Sequence, residues 1–231
     1  MKNNSLIKDL WLSDNLGVES YYIKKGINEF EDSLDSSVQF CYAKINTTDY
    51  KSTIKLQSLG FNLIETSILL SKKIDKITSI NNSCRFAKES DIENIDKIAS
   101  TEFSSSRFYK DPNISIQKAS KLKSNWALNY FKGGRGDQMI VKEINNTAIG
   151  FLQLIIDKNN LFIDLIAVKE EYRGKGNAID MINFAVSNFK GSPYKIYVGT
   201  QLDNLTSLKF YLKNGFQIES SEYVYHYHSK K

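Results

Sequence analysis

Cysteine and proline are scarce in this chain of 231 residues, and each scarcity excludes a class of protein. With 2 prolines and 12 glycines, the composition is not that of a disordered or fibrous chain. Cys41 and Cys84 lie far apart and outside any paired motif, so we expect buried free thiols rather than a metal site or a redox pair. No apolar run approaches the roughly 18 residues of a membrane span, and Met1 to Asp14 lacks a secretory signal pattern. These absences predict a soluble, cytoplasmic, globular protein.

Arginine is also rare, because the positive charge of the chain comes mainly from lysine. The net charge of +5 is modest and spread along the sequence, unlike the concentrated basic stripe of a nucleic-acid binder. A guanidinium group suits phosphate better than an ammonium group does, because its planar donors can bind two phosphate oxygens at once. The arginines are therefore considered individually, and they are Arg85, Arg107, Arg135 and Arg173.

The polar segment Lys72 to Ser83 is the best candidate linker in the chain. It divides the sequence into an N-terminal α/β domain, 1–82, and a second domain, 83–231. In the second domain, Ser90 to Glu93 fits a capping box that opens a helix, and a further helix is expected over Ile116–Phe131. A meander of three strands then leads to a glycine-rich turn, a helix, a strand over Tyr194–Thr200, a further helix from Asn204 and the final strands. This order predicts an α+β fold with a central mixed sheet.

Two stretches of the sequence, Cys41–Phe61 and Ile196–Phe216, resemble each other at a constant offset. The aligned pairs include Tyr42 with Tyr197, Ser52 with Ser207, and Gly60-Phe61 with Gly215-Phe216. Leu56 falls opposite Tyr211, and no glycine turn precedes it. The N-terminal domain is therefore interpreted as a degenerate, inert partial copy of the second domain, with chance similarity as the alternative.

The strongest chemical signal is the turn Arg173-Gly174-Lys175-Gly176-Asn177-Ala178, which follows the predicted strand Leu161–Val168 and opens a helix. Glycines allow a tight turn close to an anion, and the free N–H groups at a helix start carry partial positive charge. A pyrophosphate group would fit there. The known GxxxxGK[ST] and GxGxxG phosphate motifs both fail on this sequence. The alternative is a strand-to-helix turn without a ligand.

A second signal is the stretch Asn204 to Phe216, an amphipathic helix that begins at an asparagine and carries Tyr211 near its end. The phenol pKa of about 10 lies somewhat above the thiol pKa of about 8.5, so a tyrosine can donate a proton to a departing thiolate. The alternative is a core tyrosine that only packs.

These two segments resemble the GNAT superfamily of N-acetyltransferases, whose turn reads (Arg/Gln)-x-x-Gly-x-(Gly/Ala) and is filled here by Arg173, Gly176 and Ala178. The resemblance implies a GNAT fold with a mostly antiparallel mixed sheet flanked by helices, acetyl-CoA as cosubstrate and no metal. It implies that Tyr211 is the general acid. It also implies cofactor binding by Ile166, Ala167, Val168, Arg173, Gly174, Lys175, Gly176, Asn177, Ala178 and Asn204.

The chain is similar to one branch in particular, the bacterial dTDP-fucosamine acetyltransferases, over nearly its whole length. The stretches that carry this likeness are Phe103–Phe108, Trp126 with Asn129, Asp137, and Gly199–Gln201. The branch implies an acceptor of the dTDP-4-amino-4,6-dideoxyhexose type, a homodimer, and direct transfer without a covalent enzyme intermediate. Its implied substrate-binding residues are Arg107, Phe108 and Gln201. Ile163–Arg173 follows the general GNAT pattern instead, so the particular sugar is not inherited from the branch.

Two other functions fit the same sequence features: acetylation of a protein N-terminus or another small amine, and a non-catalytic acyl-CoA-binding module. No general base is assigned, because both Asp164 and Glu170 are expected to be solvated. His226 and His228 alternate on one strand face, but the sequence around them offers no carboxylate or cysteine at metal-site spacing. We therefore predict no metal site.

Overall fold

The computed structural model describes residues 6–24, 34, 37–74, 83–189 and 194–229. Its strands are β1 (Leu6–Lys8), β2 (Ser20–Ile23), β3 (Phe40–Asn46), β4 (Asn62–Lys73), β5 (Cys84–Phe86), β6 (Gln138–Ile144), β7 (Thr147–Asp157), β8 (Asn160–Val168), β9 (Lys195–Gln201) and β10 (Gln217–His228). Its helices are α1 (Leu10–Leu16), α2 (Tyr50–Ser58), α3 (Ile92–Thr101), α4 (Arg107–Lys110), α5 (Ile116–Leu128), α6 (Asn177–Ser187) and α7 (Leu205–Lys213).

The strands form one ten-stranded sheet in the order β1-β2-β3-β10-β4-β9-β8-β7-β6-β5. The pairs β2–β3 and β8–β9 are parallel, and the other pairs are antiparallel. The expected α+β class with a mixed, mostly antiparallel sheet is confirmed. Strands from both sides of the predicted boundary alternate within this sheet, since β4 lies between β10 and β9. The boundary at 82/83 itself falls next to residues outside the described ranges and stays a prediction.

Helices cover both faces of the sheet, and β7 is therefore buried on both sides. Side chains on a strand alternate between faces, and here Phe151 joins a core with α3 whereas Leu152 joins a core with α6. Helix α3 contributes Ile95, Ile98 and Ala99 to the first core. Helix α6 contributes Met181, Ile182 and Ala185 to the second, which also contains Tyr211.

Three local expectations needed correction. The polar segment from Lys72 does not begin a linker, because Lys72 and Lys73 pair with β9 inside β4, while 75–82 lie outside the described residues. The capping box at Ser90–Glu93 is absent: the Asp91 carboxylate accepts the Lys88 N–H at 2.8 Å and binds Arg85, so it ties the helix start to β5. Helix α5 ends at Leu128, three residues early, in a turn that runs to Gly133.

The two similar stretches of sequence adopt the same local structure. Asp49 and Asn204 each cap a nine-residue helix by accepting the N–H three residues later, at 3.1 and 3.2 Å. Gly60 and Gly215 end those helices with φ of 87° and 83°, and a strand of 12 residues follows each. We call β3-α2-β4 the N-terminal unit and β9-α7-β10 the C-terminal unit.

The pairing of the two units is also equivalent in register. Asn46 of β3 pairs with Glu222 of β10, and the residues at the same positions in the other unit, Gln201 and Ser67, pair with each other. The last strand of each unit therefore pairs with the first strand of the other unit, and the two last strands, β10 and β4, pair with each other.

The expectation of free thiols is confirmed, since Cys41 and Cys84 are buried and unpaired. Among the described residues, no helix has the length and apolarity needed to span a membrane.

Candidate active site

The site is built around the point where β8 and β9 separate. The two strands pair in parallel only from Asn160 to Ile163 of β8. Beyond that point β8 continues to Val168 along β7, and β9 continues to Gln201 along β4. A register shift at Asp164 gives β8 one extra residue opposite Gln153 and Leu154, and such a bulge bends its strand. In the described part of the chain, the β8 backbone from Asp164 onward therefore has no strand partner on its β9 side.

The glycine turn follows β8 as predicted. Gly174 and Gly176 have φ of 75° and 82°, in the left-handed region where residues with a Cβ are strained. A Cβ would meet no atom within 4 Å at either position, so the turn needs glycine for its backbone angles and not for space. Gly176 is the N-cap of α6. Within the described structure, the N–H groups of residues 174–179 donate no hydrogen bond, which makes this turn a fitting cradle for an anion.

Side chains around the turn hold it against the sheet. The Asn177 amide donates to the Tyr172 carbonyl at 2.8 Å, and Arg173 Nε donates to the Val168 carbonyl at 3.0 Å. Arg173 also forms an ion pair with Glu102 at the end of α3. The Arg173 guanidinium thus links the turn to β8 and α3, so the anion-binding capacity of the turn comes from its backbone.

A cavity of about 360 Å³ opens beside the separated strands. Its walls come from β3, β4, the segment between α3 and α4, α4, α5, the loop before β6, β8, β9 and α7. Six of the residues expected to bind substrate or cofactor, or to act as the general acid, line it, namely Arg107, Phe108, Ile166, Gln201, Asn204 and Tyr211. Ala167 and Val168 are buried in β8 and do not line it, and residues 173–178 lie in the turn beyond it.

Tyr211 is placed by α7 at the floor of this cavity. Its ring packs between Phe210 and Phe216, with centroids 5.1 and 5.3 Å away, and the residue is 3% exposed. Burial raises the pKa of Tyr211 above that of a free phenol, so the hydroxyl stays protonated at neutral pH. No described residue forms a hydrogen bond with this hydroxyl. The side chain of Asn204 is occupied as the cap of α7.

Two cations on the cavity wall have no carboxylate partner among the described residues. Arg107, at the start of α4, stacks on the Tyr42 ring at 4.2 Å, and its Nη1 atom is buried without a hydrogen bond. Lys123 of α5 lies over the rings of Trp126 and Phe103 at 4.6 and 5.2 Å. Burial, and then repulsion from Arg107, lowers the pKa of Lys123 to about 8. Arg107 is therefore half-buried in the cavity wall, with its Nη1 atom buried.

Asp164 is buried and saturated with hydrogen bonds, which corrects the expectation that it is solvated. Its carboxylate accepts bonds from Trp126 Nε1, Gln153 Nε2 and two nitrogens of Arg135, at 2.6 to 3.0 Å. The side chain is 6% exposed. Glu170, the other acidic residue considered, is exposed and does not line the cavity.

A second polar cluster lies behind α4. Asp111 Oδ2 contacts His226 Nδ1 at 2.6 Å and His228 Nε2 at 2.8 Å. The sequence argument missed this carboxylate because Asp111 is distant in the chain. The three atoms lie close enough together to bind one metal ion. Metal-bound histidines usually donate their second N–H, however, and His226 Nε2 has no partner among the residues that the structure describes. The contacts are those of a buried hydrogen-bonded clamp between β10 and the segment after α4.

Sequence reasoning also missed much of the cavity wall. Lys44, Glu65 and Ser67 come from β3 and β4, in the segment that was expected to be inert, and Lys123 comes from α5. No local motif marks these residues. The one usable signal is their type, because a lysine or glutamate inside an otherwise apolar helix face or strand is rarely buried without a reason.

Comparison with known proteins gives a consistent result. A model of the acetyltransferase (GNAT) family matches residues 93–216. The spore coat polysaccharide biosynthesis protein SpsD of Bacillus subtilis is 31% identical over 137 residues, which are 59% of this chain and 47% of SpsD. The dTDP-fucosamine acetyltransferase of Escherichia coli O6:H1 is 25% identical over 184 residues, 78% of each chain. This chain thus spans less than half of SpsD.

Among solved structures, a conserved protein of unknown function from Staphylococcus epidermidis superposes with a TM-score of 0.64. The superposition covers 100% of this chain and 94% of that one at 13% identity. This likeness extends to the fold of the N-terminal unit.

Proposed function

The chain belongs to the acetyltransferase (GNAT) family, and from that premise we propose that it transfers an acetyl group from acetyl-CoA to the amine of a nucleotide-linked amino sugar. The acceptor class is of the dTDP-4-amino-4,6-dideoxyhexose type. One observation carries this proposal: the cavity beside Tyr211 contains two cations, the half-buried Arg107 and the buried Lys123, that lack a carboxylate partner among the described residues.

Acetyl-CoA fits the residues at the strand separation. The free N–H groups of 174–179 suit its pyrophosphate, and the unpaired edge of β8 from Asp164 to Val168 suits a pantetheine arm with amide groups of its own. An acyl chain that followed this edge would reach the cavity beside Ile166 and Tyr211. Acetyl-CoA supplies the activated thioester.

The charge of the cavity favours an anionic acceptor. Of the four cations on its wall, Arg135 is paired with Asp164, and Lys44 adds positive charge beside Arg107. Burying unpaired cations is costly, so a bound anion relieves this cost. A sugar linked to a nucleoside diphosphate brings two phosphates, and the rings of Trp126 and Phe103 offer apolar contact area. The names of SpsD and the E. coli enzyme support a sugar acceptor.

The reaction follows from these positions. The neutral amine attacks the thioester carbon, the new C–N bond forms and the C–S bond breaks. The Tyr211 hydroxyl donates its proton to the departing thiolate. Because burial raises the Tyr211 pKa further above the thiol value of about 8.5, this transfer is uphill for the isolated groups, and we expect a contribution near the lower end of general-acid catalysis, about a hundredfold.

We also propose that residues 1–82 supply one wall of the acceptor site, and that the protein acts as a homodimer. The wall is supported by Lys44, Glu65 and Ser67, which line the cavity.

The proposal is tested by measuring release of CoA thiol from acetyl-CoA with dTDP- and UDP-linked amino sugars, free amino sugars, peptides and spermidine. We expect turnover with a nucleotide-linked amino sugar. Lys123→Met should raise the acceptor KM by about ten- to a hundredfold, since a charge-assisted contact contributes roughly 1.5–3 kcal/mol. Lys121→Met, which changes an exposed lysine on the same helix, is the matched control. Efficient acetylation of peptides or spermidine, with none of nucleotide sugars, would refute the proposed acceptor.

A further inference from the structure

Three carboxylates line the cavity, and two of them are already occupied. Asp164 accepts four hydrogen bonds. Glu102 pairs with Arg173 and also accepts a bond from the Thr101 hydroxyl at 3.2 Å. The oxygens of both carboxylates are therefore already engaged by donors of the protein.

Glu65 of β4 differs from both. Its side chain is 6% exposed, and its buried Oε2 atom forms no hydrogen bond with any described residue. Its nearest charged partner is Lys110, whose Nζ lies 3.8 Å from Oε2, beyond hydrogen-bond distance. Lys110 instead binds Asp203 at 2.6 Å. Glu65 therefore retains unused acceptor capacity inside the cavity.

Its position suits contact with the acceptor amine. Glu65 and Ser67 are two residues apart on β4, hence on one face, and both line the cavity. Ser67 pairs with Gln201 at the end of β9, and the Leu202 N–H donates to the Thr66 carbonyl at 2.8 Å. Glu65 thus lies just past the end of β9, at the open side of the strand separation.

The charges around Glu65 come from three elements. Lys44 faces it from β3, Arg107 and Lys110 from α4, and Lys123 from α5. Burial raises the pKa of Glu65, and these four cations act in the opposite direction. The result is a carboxylate more basic than an exposed glutamate, in surroundings that favour its ionised form.

We propose that Glu65 is the general base of the acetyl transfer, a role that rests on the proposed function. As the amine nitrogen bonds to the acetyl carbon, one N–H proton passes to the Glu65 carboxylate. The C–S electron pair leaves with sulfur, which takes the Tyr211 proton. Solvent then removes the proton from Glu65 and restores that of Tyr211, so one proton moves in net from nitrogen to sulfur.

The test compares Glu65→Gln with Asp203→Asn. Both variants remove a carboxylate near Lys110, but Asp203 is exposed and does not line the cavity. We expect Glu65→Gln to lower kcat about a hundredfold at pH 7 and to become progressively less impaired as rising pH deprotonates the amine. Asp203→Asn should stay within about twofold. Acetyl-CoA affinity should be unchanged in both.

A second pair of variants separates proton transfer from folding. Glu65→Asp keeps a carboxylate and should retain more activity than Glu65→Gln. Glu65→Ala should regain rate on addition of formate, a small carboxylate base, which a merely structural glutamate would not allow. If Glu65→Gln stays within about threefold of wild type from pH 6 to 9, or if formate restores nothing, Glu65 is not the base. A large loss of kcat in Lys123→Met with no loss in Glu65→Gln would give that role to Lys123.

The experiments distinguish an error in the proposed role of Glu65 from an error in the proposed acceptor. If the wild type acetylates another amine instead of a nucleotide sugar, the proposed acceptor is wrong, and the same variants are compared on that amine. If the wild type acetylates no amine at all, both proposals are overturned.

Discussion

The N-terminal and C-terminal units have the same backbone plan and different chemistry. In each, an Asx cap starts a nine-residue helix, a glycine with positive φ ends it, and the N–H of the following phenylalanine bonds back to the residue five positions earlier. That residue is Leu56 in one unit and Tyr211 in the other. Leu56 is fully buried under a strand pair, whereas Tyr211 faces a cavity. The local sequence determines the helix, and its surroundings decide whether the side chain is enclosed by a core or faces a cavity.

The neighbouring strands account for the difference in surroundings. β2 and β3 pair in parallel over four residues, Ser20 to Ile23, as β8 and β9 do over Asn160 to Ile163. After Ile163 the C-terminal side has a bulge, a separated strand and a glycine turn. This likeness supports the proposal that residues 1–82 contain a partial copy of the second domain. Glu65 and Ser67 of β4 line the cavity that Tyr211 of the other unit faces.

The largest expected effect concerns the packing residue. Leu56→Ala removes a fully buried side chain from a core shared with Phe61 and Tyr225, so it should lower the free energy of unfolding by about 2–5 kcal/mol. Acetyl transfer per folded molecule should be unchanged. Chemical denaturation measures the first quantity, and activity normalised to folded protein measures the second. A loss of acetyl transfer per folded molecule would mean that the N-terminal unit takes part in the reaction through α2.

The next effect separates the glycine turn from the helix that follows it. Gly176→Asp puts a negative charge among the N–H groups expected to hold the pyrophosphate and should weaken acetyl-CoA binding about a hundredfold. Gly176→Asn has nearly the same size and the same backbone strain but no charge, so it should lose much less. Calorimetric titration with acetyl-CoA compares the two. Equal acetyl-CoA affinities of the two variants would show that the pyrophosphate does not bind at this turn.

The smallest effect tests the equivalence of the two helix ends. Gly60→Ala and Gly215→Ala each force a Cβ into the left-handed region, and neither Cβ would meet a heavy atom closer than 3.7 Å. Each should therefore cost about 1 kcal/mol of unfolding free energy, from backbone strain alone. Thermal unfolding of both variants should show similar shifts. A cost several times larger at one position would contradict the equivalence.

Sequence reasoning found the parts of the site that are local. The glycine turn, the α7 cap and Tyr211 each depend on residues within one turn or helix, and the structure has them where the sequence predicted, while their roles stay predictions. The residues it missed depend on contacts between distant segments. Glu65 reaches the cavity because β4 inserts between β10 and β9, and Asp111 reaches His226 because α4 lies over β10. Strand order across a sheet leaves no periodic signal in the chain, so these contacts were not predictable from spacing.

The central claim is that Tyr211 is a proton donor in one unit where Leu56 only packs in the other. Tyr211→Phe keeps the ring and its contacts with Phe210 and Phe216 but removes the hydroxyl. Single-turnover release of CoA thiol measures the chemical step directly. The account predicts normal folding, nearly unchanged acetyl-CoA affinity and a rate about a hundredfold lower, or roughly 3 kcal/mol in the barrier. A rate within about threefold of wild type would show that Tyr211 is a packing residue like Leu56, and that the thiolate takes its proton from water.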